Sequence, residues 1–460
     1  MLNNTTIISL ILITYFFNVS SQNEQDIQTL SIFSEYVKAK NYDDAYAPWN
    51  EIRQRNPKFN KAIFVYGERI LKHKIRTSKE EEKIFFLNDI LKLWEQRIDL
   101  FPSTTPIGQY MAKACQLKYD HRKELSISKE DLFYEFNNVY ESDFETFTNP
   151  KSLYTYFSLT VDMYDLGKIP AQGLFDMYDV ITEKVDSEVK KYTIKRNSYM
   201  TLDGETKEMT RSDKSKFNSY NSYLKAYDQI STSIDTKLGK RANCENLIPL
   251  YTRNFDLYKE DQLWLQRAMN RIYNKGCNED PLFVKIVEKK NELSPNAETS
   301  FYLAILKEKS GLTSEALSYY NQAVDLESDD FSKAKILYKI ATNFKNKGSY
   351  GKARSYYKKA LKLNPSLGKA YLAIAYMYSK SANKCGDDNF SKRAVYWLAA
   401  KEASKASRVS PNLSKKASEY IANYSAKAPQ KSEIFSSGKE GQIISIGCWI
   451  QRKVTVPNIQ

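Results

Sequence analysis

The chain has 460 residues, a formal net charge of +14, 42% hydrophobic and 27% charged residues, and only 15 Gly and 13 Pro. Such a balance excludes a disordered polymer and disfavours β architecture. At roughly 150 residues per domain the chain is too long for one globular core, unless short units stack only on their neighbours.

Residues 1–21 read as a secretory signal peptide. Ile7 to Val19 is apolar but shorter than the ~20 residues needed to span a bilayer, and Ser20 and Ser21 set up cleavage before Gln22. No Lys or Arg precedes the run, so a short membrane anchor is the other reading. Export predicts a periplasmic or outer-membrane-associated protein. Residues 22–191 then read as degenerate helical hairpins. Tyr42, Ala45 and Trp49 sit in a first pair ending at Pro57, and Ile84, Leu87, Leu91, Trp94 and Ile98 form a helical apolar stripe. Phe101-Pro102 and Asn149-Pro150 punctuate the next helices. Residues 192–243 are predicted as a polar loop or helical extension protruding from the hairpins, because apolar periodicity fades and Asp203-Gly204 signals a turn.

From residue 244 to 430 the pattern sharpens. Ala334 to Pro365 is a complete helix–turn–helix unit. Ala341, Ala353 and Ala360 stand where two helices touch, Leu337, Ile340, Phe344, Tyr350 and Tyr357 fill the gaps, Gly348 turns the chain and Pro365 stops it. Leu303, Ala304, Ala316, Tyr320 and Ala323 match that unit one repeat earlier, with Gly311 at the turn. Tyr371, Ile374, Ala375 and Tyr378 open the next repeat, and Leu413 to Tyr424 reads as a capping helix. Residues 431–460 form a tail in which Ile443 to Ile450 and Lys453 to Val456 predict a β-hairpin.

Five cysteines lie at 115, 244, 277, 385 and 448, none in a CxxC unit. Outside the cytoplasm disulfides are expected before metal ligands. Cys244 and Cys277 flank one helical hairpin. Cys385 lies in the last repeat's inserted loop, where a bond to Cys448 would hold the β-hairpin; Cys115 is left over and buried. No metal, cofactor or catalytic residue is predicted. His73 and His121 stand 48 residues apart, and HExxH, Walker, GxGxxG and GxSxG motifs are missing. Asp43-Asp44, Asp329-Asp330 and Asp387-Asp388 fall near turns or helix starts, where negative charge suits the helix dipole.

The unit at Ala334 to Pro365 resembles the tetratricopeptide repeat, a helical hairpin of ~34 residues. The likeness covers Ala297 to Arg408 and, more loosely, Asp26 to Leu100. Through NKGCNEDPLF (274–283), SPNAETSFYLA (294–304), KRAVYWLAAKEASKA (392–406) and IGCWIQRKVTVP (446–457), the whole chain resembles exported tetratricopeptide proteins common in Bacteroidota. The resemblance implies an all-α solenoid with a short C-terminal β-hairpin, acting as a non-enzymatic scaffold or adaptor, with an envelope secretion or gliding assembly as one setting. It implies a partner groove on the first helices of successive repeats: Lys335, Tyr338, Lys345 and Asn346, then Lys369, Tyr376 and Lys380. Phe331 to Gln430 holds 21 Lys and Arg against 4 Asp and Glu, a balance of +17. The expected partner is therefore an acidic protein or peptide, not nucleic acid, with contact to a membrane or cell-wall surface as a further expectation. A chaperone-like carrier of exported chains and a cell-wall or anionic-membrane binder are the alternatives.

Overall fold

The computed structural model describes residues 23–201 and 204–459; the signal-peptide reading of residues 1–21 lies outside them. The chain divides into two units, Met1–Ile181 and Thr182–Gln460. Each is all-α and built from successive helical hairpins, the arrangement of an α-solenoid, and the second ends in a two-stranded antiparallel sheet.

Unit 1 contains α1 (23–38), α2 (Tyr42–Arg55), α3 (Ala62–Thr77), α4 (Glu80–Leu100), α5 (Ile107–Asp120), α6 (Lys129–Asp143), α7 (Pro150–Asp165) and the start of α8 (Ala171–Asn197). Side-chain oxygens start the later helices: Ser128 accepts from the Asp131 N–H on α6, and Asn149, followed by Pro150, accepts from Ser152 on α7. The core runs through Phe33, Trp49, Ile52, Ile90 and Leu93, all fully buried. Each such side chain contributes about 1.5–3 kcal/mol by leaving water. Trp49 carries one polar atom into that core and satisfies it, its indole N–H donating to the Ile63 carbonyl at 2.8 Å.

Unit 2 contains the end of α8, then α9 (Arg211–Leu238), α10 (Cys244–Tyr258), α11 (Gln262–Asn274), α12 (Pro281–Leu293), α13 (Ala297–Lys309), α14 (Thr313–Leu326), α15 (Asp330–Asn346), α16 (Tyr350–Leu363), α17 (Gly368–Ser381), α18 (Asn389–Val409), α19 (Ser414–Lys427) and α20 (Lys431–Ser437). The hairpins pair α11 with α12, α13 with α14, α15 with α16 and α17 with α18. α10 lies before this register, and Cys244 at its start is bonded to Cys277 beyond α11, with Cα atoms 5.4 Å apart. The repeat alanines do what their size requires: Ala341, Ala353 and Ala360 are fully buried where helices meet. Gly311 and Gly348 turn their hairpins at φ +76° and +74°, a conformation that costs glycine little. α15 begins four residues before Ala334, because Asp329 accepts from the Ser332 N–H and caps it there.

Of the two readings of residues 192–243, polar loop or helical extension, the chain forms the helical one, though its tip does not stand free. α8 continues to Asn197, a bridge joins Met200 to Thr206, and α9 runs back, so the segment is a helical hairpin. Its tip docks on the repeats. The Arg196 guanidinium is buried and donates to Ser366 Oγ, Asn221 Oδ1 and the Arg408 carbonyl. Glu205 pairs with Arg408, and Asn197 donates to Asn364 Oδ1 at 3.1 Å. The hairpin's own seam is tyrosine. Tyr192 stacks on Tyr223 with ring centroids 4.6 Å apart and lies beside Tyr220 and Tyr227. Polar docking and amphipathic rings leave little apolar periodicity in the sequence.

At the C-terminus, β1 (Ile443–Ile446) pairs with β2 (Arg452–Thr455) in the register Ile443 opposite Thr455. Their connection carries Cys448 and Gln451 at positive φ. Cys448 is bonded to Cys385, Cα to Cα 5.3 Å. Trp449 then packs on Tyr350 and Tyr378 and donates to Ser381 Oγ at 2.9 Å. An isolated two-stranded hairpin is marginal in water, and these contacts supply what it lacks.

Candidate partner groove

The basic region sorts into neutralised and free cations. Glu298 on α13 takes three donors: Gln266 Nε2 at 2.6 Å, Asn270 Nδ2 at 2.8 Å and Lys339 Nζ at 2.9 Å. Burial pushes its carboxyl up, but the Lys339 ammonium and the amide bonds outweigh burial and hold it below its ordinary value. Glu308 likewise accepts from Tyr320, Asn343 and Lys347 at 2.6–2.7 Å. Lys335, placed in the groove by sequence position, pairs instead with Asp186 of α8 at 2.9 Å. It lines a separate polar recess of about 550 Å³ together with Asp186, Glu298 and Lys339. Lys190 to Asp329 at 3.0 Å and Arg267 to Glu183 at 2.6 Å complete the line of ion pairs along the end of α8.

One repeat further on, a concavity of about 360 Å³ opens between α15, α17 and α19, lined by Tyr338, Lys345, Lys369, Leu372, Ala373, Tyr376, Leu413, Lys416 and Tyr420. Four of the seven sequence-predicted residues therefore meet there: Tyr338, Lys345, Lys369 and Tyr376. Helical spacing explains the first two, since Tyr338 and Lys345 are seven residues apart and share a face of α15. Lys369 and Tyr376 repeat that spacing on α17. Lys345 Nζ stands 5.8 Å from the Tyr376 ring centroid and Lys380 Nζ 5.6 Å, so the half-exposed ring sits between two ammonium groups. Tyr338 is fixed from behind by Tyr357, 5.4 Å away, and burial raises its phenol above the ordinary value, keeping it neutral. Asn346 is exposed at the end of α15 and does not line the concavity.

Lys416 and Tyr420 escaped the sequence reading, which gave their helix only a capping role. The usable signal was Leu413, Lys416 and Tyr420 at helical spacing, repeating the aliphatic, lysine and tyrosine mixture of α17. Among the described residues, no carboxylate lies within ion-pair distance of Lys345, Lys369, Lys380 or Lys416. The arrangement offers flexible point charges around an apolar and aromatic floor, suited to carboxylates borne on an extended or helical segment. Among the described residues, no group of three His, Cys, Asp or Glu could hold a metal, and no helix is long and apolar enough to cross a membrane.

The tetratricopeptide repeat model matches residues 334–367. Photosystem I assembly protein Ycf3 of Acaryochloris marina is 33% identical over 105 residues, covering 22% of this chain and 63% of that protein. The Cyanophora paradoxa protein of the same name is 32% identical over 98 residues, covering 20% and 57%. The chain thus spans about 60% of the length of the curated relatives it matches. Among solved structures, yeast Tom70 aligns with a TM-score of 0.26 at 14% identity, covering 89% of this chain and 78% of that one. A monomeric IFIT1 mutant with Gppp-AAAA aligns at 0.28 and 14%, covering 80% and 75%. The groove therefore stands on a tetratricopeptide repeat at residues 334–367, whose first helix supplies Tyr338 and Lys345.

Proposed function

We propose that this protein is a non-enzymatic scaffold that binds an acidic segment of another protein in the α15–α17–α19 groove. The observation that carries the reading is the sorting of lysines. Glu298, Glu308 and Asp186 neutralise Lys339, Lys347 and Lys335, whereas Lys345, Lys369 and Lys416 line the groove without a carboxylate. Clustered like charge costs stability unless a ligand of opposite sign relieves it. The repeat at 334–367 supports a protein-binding role, and the relatives named as assembly proteins fit it.

The setting we propose is outside the cytoplasm, in the periplasm or at the outer membrane of a cell envelope. The two cystines and the apolar Ile7 to Val19 run support that reading. Peptide mapping of protein isolated from its native cells, alkylated before any reductant, checks it. Only Cys115 should carry the alkyl group; alkylation of the other four rules the setting out.

For the groove, a dye-labelled glutamate-rich peptide is titrated at low and high salt. Affinity should fall as salt screens the lysines. Binding that ignores salt, or prefers a lysine-rich peptide of the same length, rejects the proposed partner chemistry.

A further inference from the structure

Unit 1 carries a second concavity of opposite character. It measures about 620 Å³ and lies between α4, α5 and α6. Its floor is apolar: Trp94, Tyr110 and Val139 are buried there, and Met111 is half-buried. Cys115 adds to that floor. Burial pushes its thiol up to about 12, so it stays protonated and behaves as a small apolar group. The rim is acidic. Glu95 and Asp99 stand one turn apart on α4, both exposed, and among the described residues neither has a cation within ion-pair distance. Glu135 on the opposite rim is already matched by Lys118 at 2.9 Å.

Two features of this groove go unexplained by folding. Like charges at i and i+4 on a helix are mutually destabilising. An apolar channel left open between helices forgoes dispersion and burial that a closer fit would recover. A single occupant removes both costs. From the apolar floor and the unmatched Glu95 and Asp99, we infer that the α4–α5–α6 groove seats an amphipathic helical segment of another protein. Its large apolar side chains enter the channel, and its Lys or Arg side chains meet the two carboxylates. The segment is opposite in charge to the one proposed for unit 2, so one scaffold would hold two chemically distinct partners.

The probe is a dye-labelled capped peptide of about 14 residues, some four helical turns, with Leu and Phe on one face and Lys on its flanks. Two relatives accompany it: a scrambled peptide of the same composition, and one with Glu in place of Lys. Anisotropy titrations use the full chain. The amphipathic Lys peptide should bind about tenfold or more tightly than either relative. The double variant Glu95→Lys, Asp99→Lys should weaken it by roughly tenfold, since two attractions become repulsions. Both sites are exposed, so an unchanged thermal melt confirms that this variant folds. Lys345→Glu with Lys369→Glu should leave this binding unchanged, which separates the result from the unit 2 reading. Equal binding of the scrambled peptide, or no effect of the α4 double variant, overturns the inference. So does a concentration-dependent dimer abolished by the α4 variant, which would make a second copy of the chain the occupant.

Discussion

A missing side chain sets how closely α2 and α3 approach. A Cβ at Gly67 would fall 2.6 Å from the Trp49 ring, so only glycine lets that indole lie flat enough to reach the Ile63 carbonyl. Gly67→Ala should cost about 1–3 kcal/mol, the usual range for overpacking a core, read from denaturant unfolding of the whole chain. Asp388 makes a prediction about pH. The Ser391 N–H at 2.6 Å and the Lys439 ammonium at 3.0 Å hold its carboxyl at about 2, against an ordinary 3.8. A group depressed on folding stabilises above its unfolded pKa, and that contribution is lost as pH falls through the folded value. Asp388→Ala should therefore be less stable than wild type by about 1 kcal/mol at neutral pH. The gap should close as pH falls from about 4 to about 2, which paired thermal melts would show.

Residues differ in how far sequence alone exposes their roles. Tyr338 with Lys345, and Lys369 with Tyr376, were legible because each pair stands seven residues apart on one helix and so shares a face. Lys335 also stands on α15 but meets Asp186, 149 residues earlier in the chain, and no local pattern announces that pair. Lys416 and Tyr420 were hidden for another reason. α19 buries only Ala417 and Tyr424, too little apolar signal to mark it as a groove wall.

At the scale of elements, the C-terminal hairpin is the piece held most by a few bonds. Its anchors are the Cys385–Cys448 cystine, the Trp449 ring between Tyr350 and Tyr378, and the Arg354 guanidinium donating to the Ile450 carbonyl. Replacing both cysteines by serine should cost about 2–4 kcal/mol. It should also raise hydrogen exchange at residues 443–456 above that of α16 and α17. Equal protection in all three would mean that ring packing alone holds the hairpin. The strands were readable from their β-branched runs. The α8–α9 tip was not, because its docking rests on Arg196, Asn197 and Glu205, polar residues that look like a solvated loop. Arg196→Ala should loosen that tip, seen as faster exchange through residues 196–201 while α13 and α14 are unchanged.

Across the whole chain, charge is unevenly distributed, and the structure decides where the excess acts. Phe331 to Gln430 carries the +17, yet its acidic neighbours and α8 consume the lysines nearest them. Of the lysines left without a carboxylate, Lys345, Lys369 and Lys416 gather where α15, α17 and α19 converge, on a floor of Leu372, Ala373 and Leu413. Fold and charge asymmetry could be read from the sequence; the distinction between satisfied and free lysines needed three dimensions. The direct test is the affinity of a glutamate-rich peptide for the wild-type chain and for the Lys345→Glu, Lys369→Glu, Lys416→Glu variant. Three reversed charges at about 0.5–1 kcal/mol each predict a loss of roughly 10- to 100-fold, with an unchanged thermal melt. Equal affinity in the two proteins would contradict the assignment of this groove as the partner site.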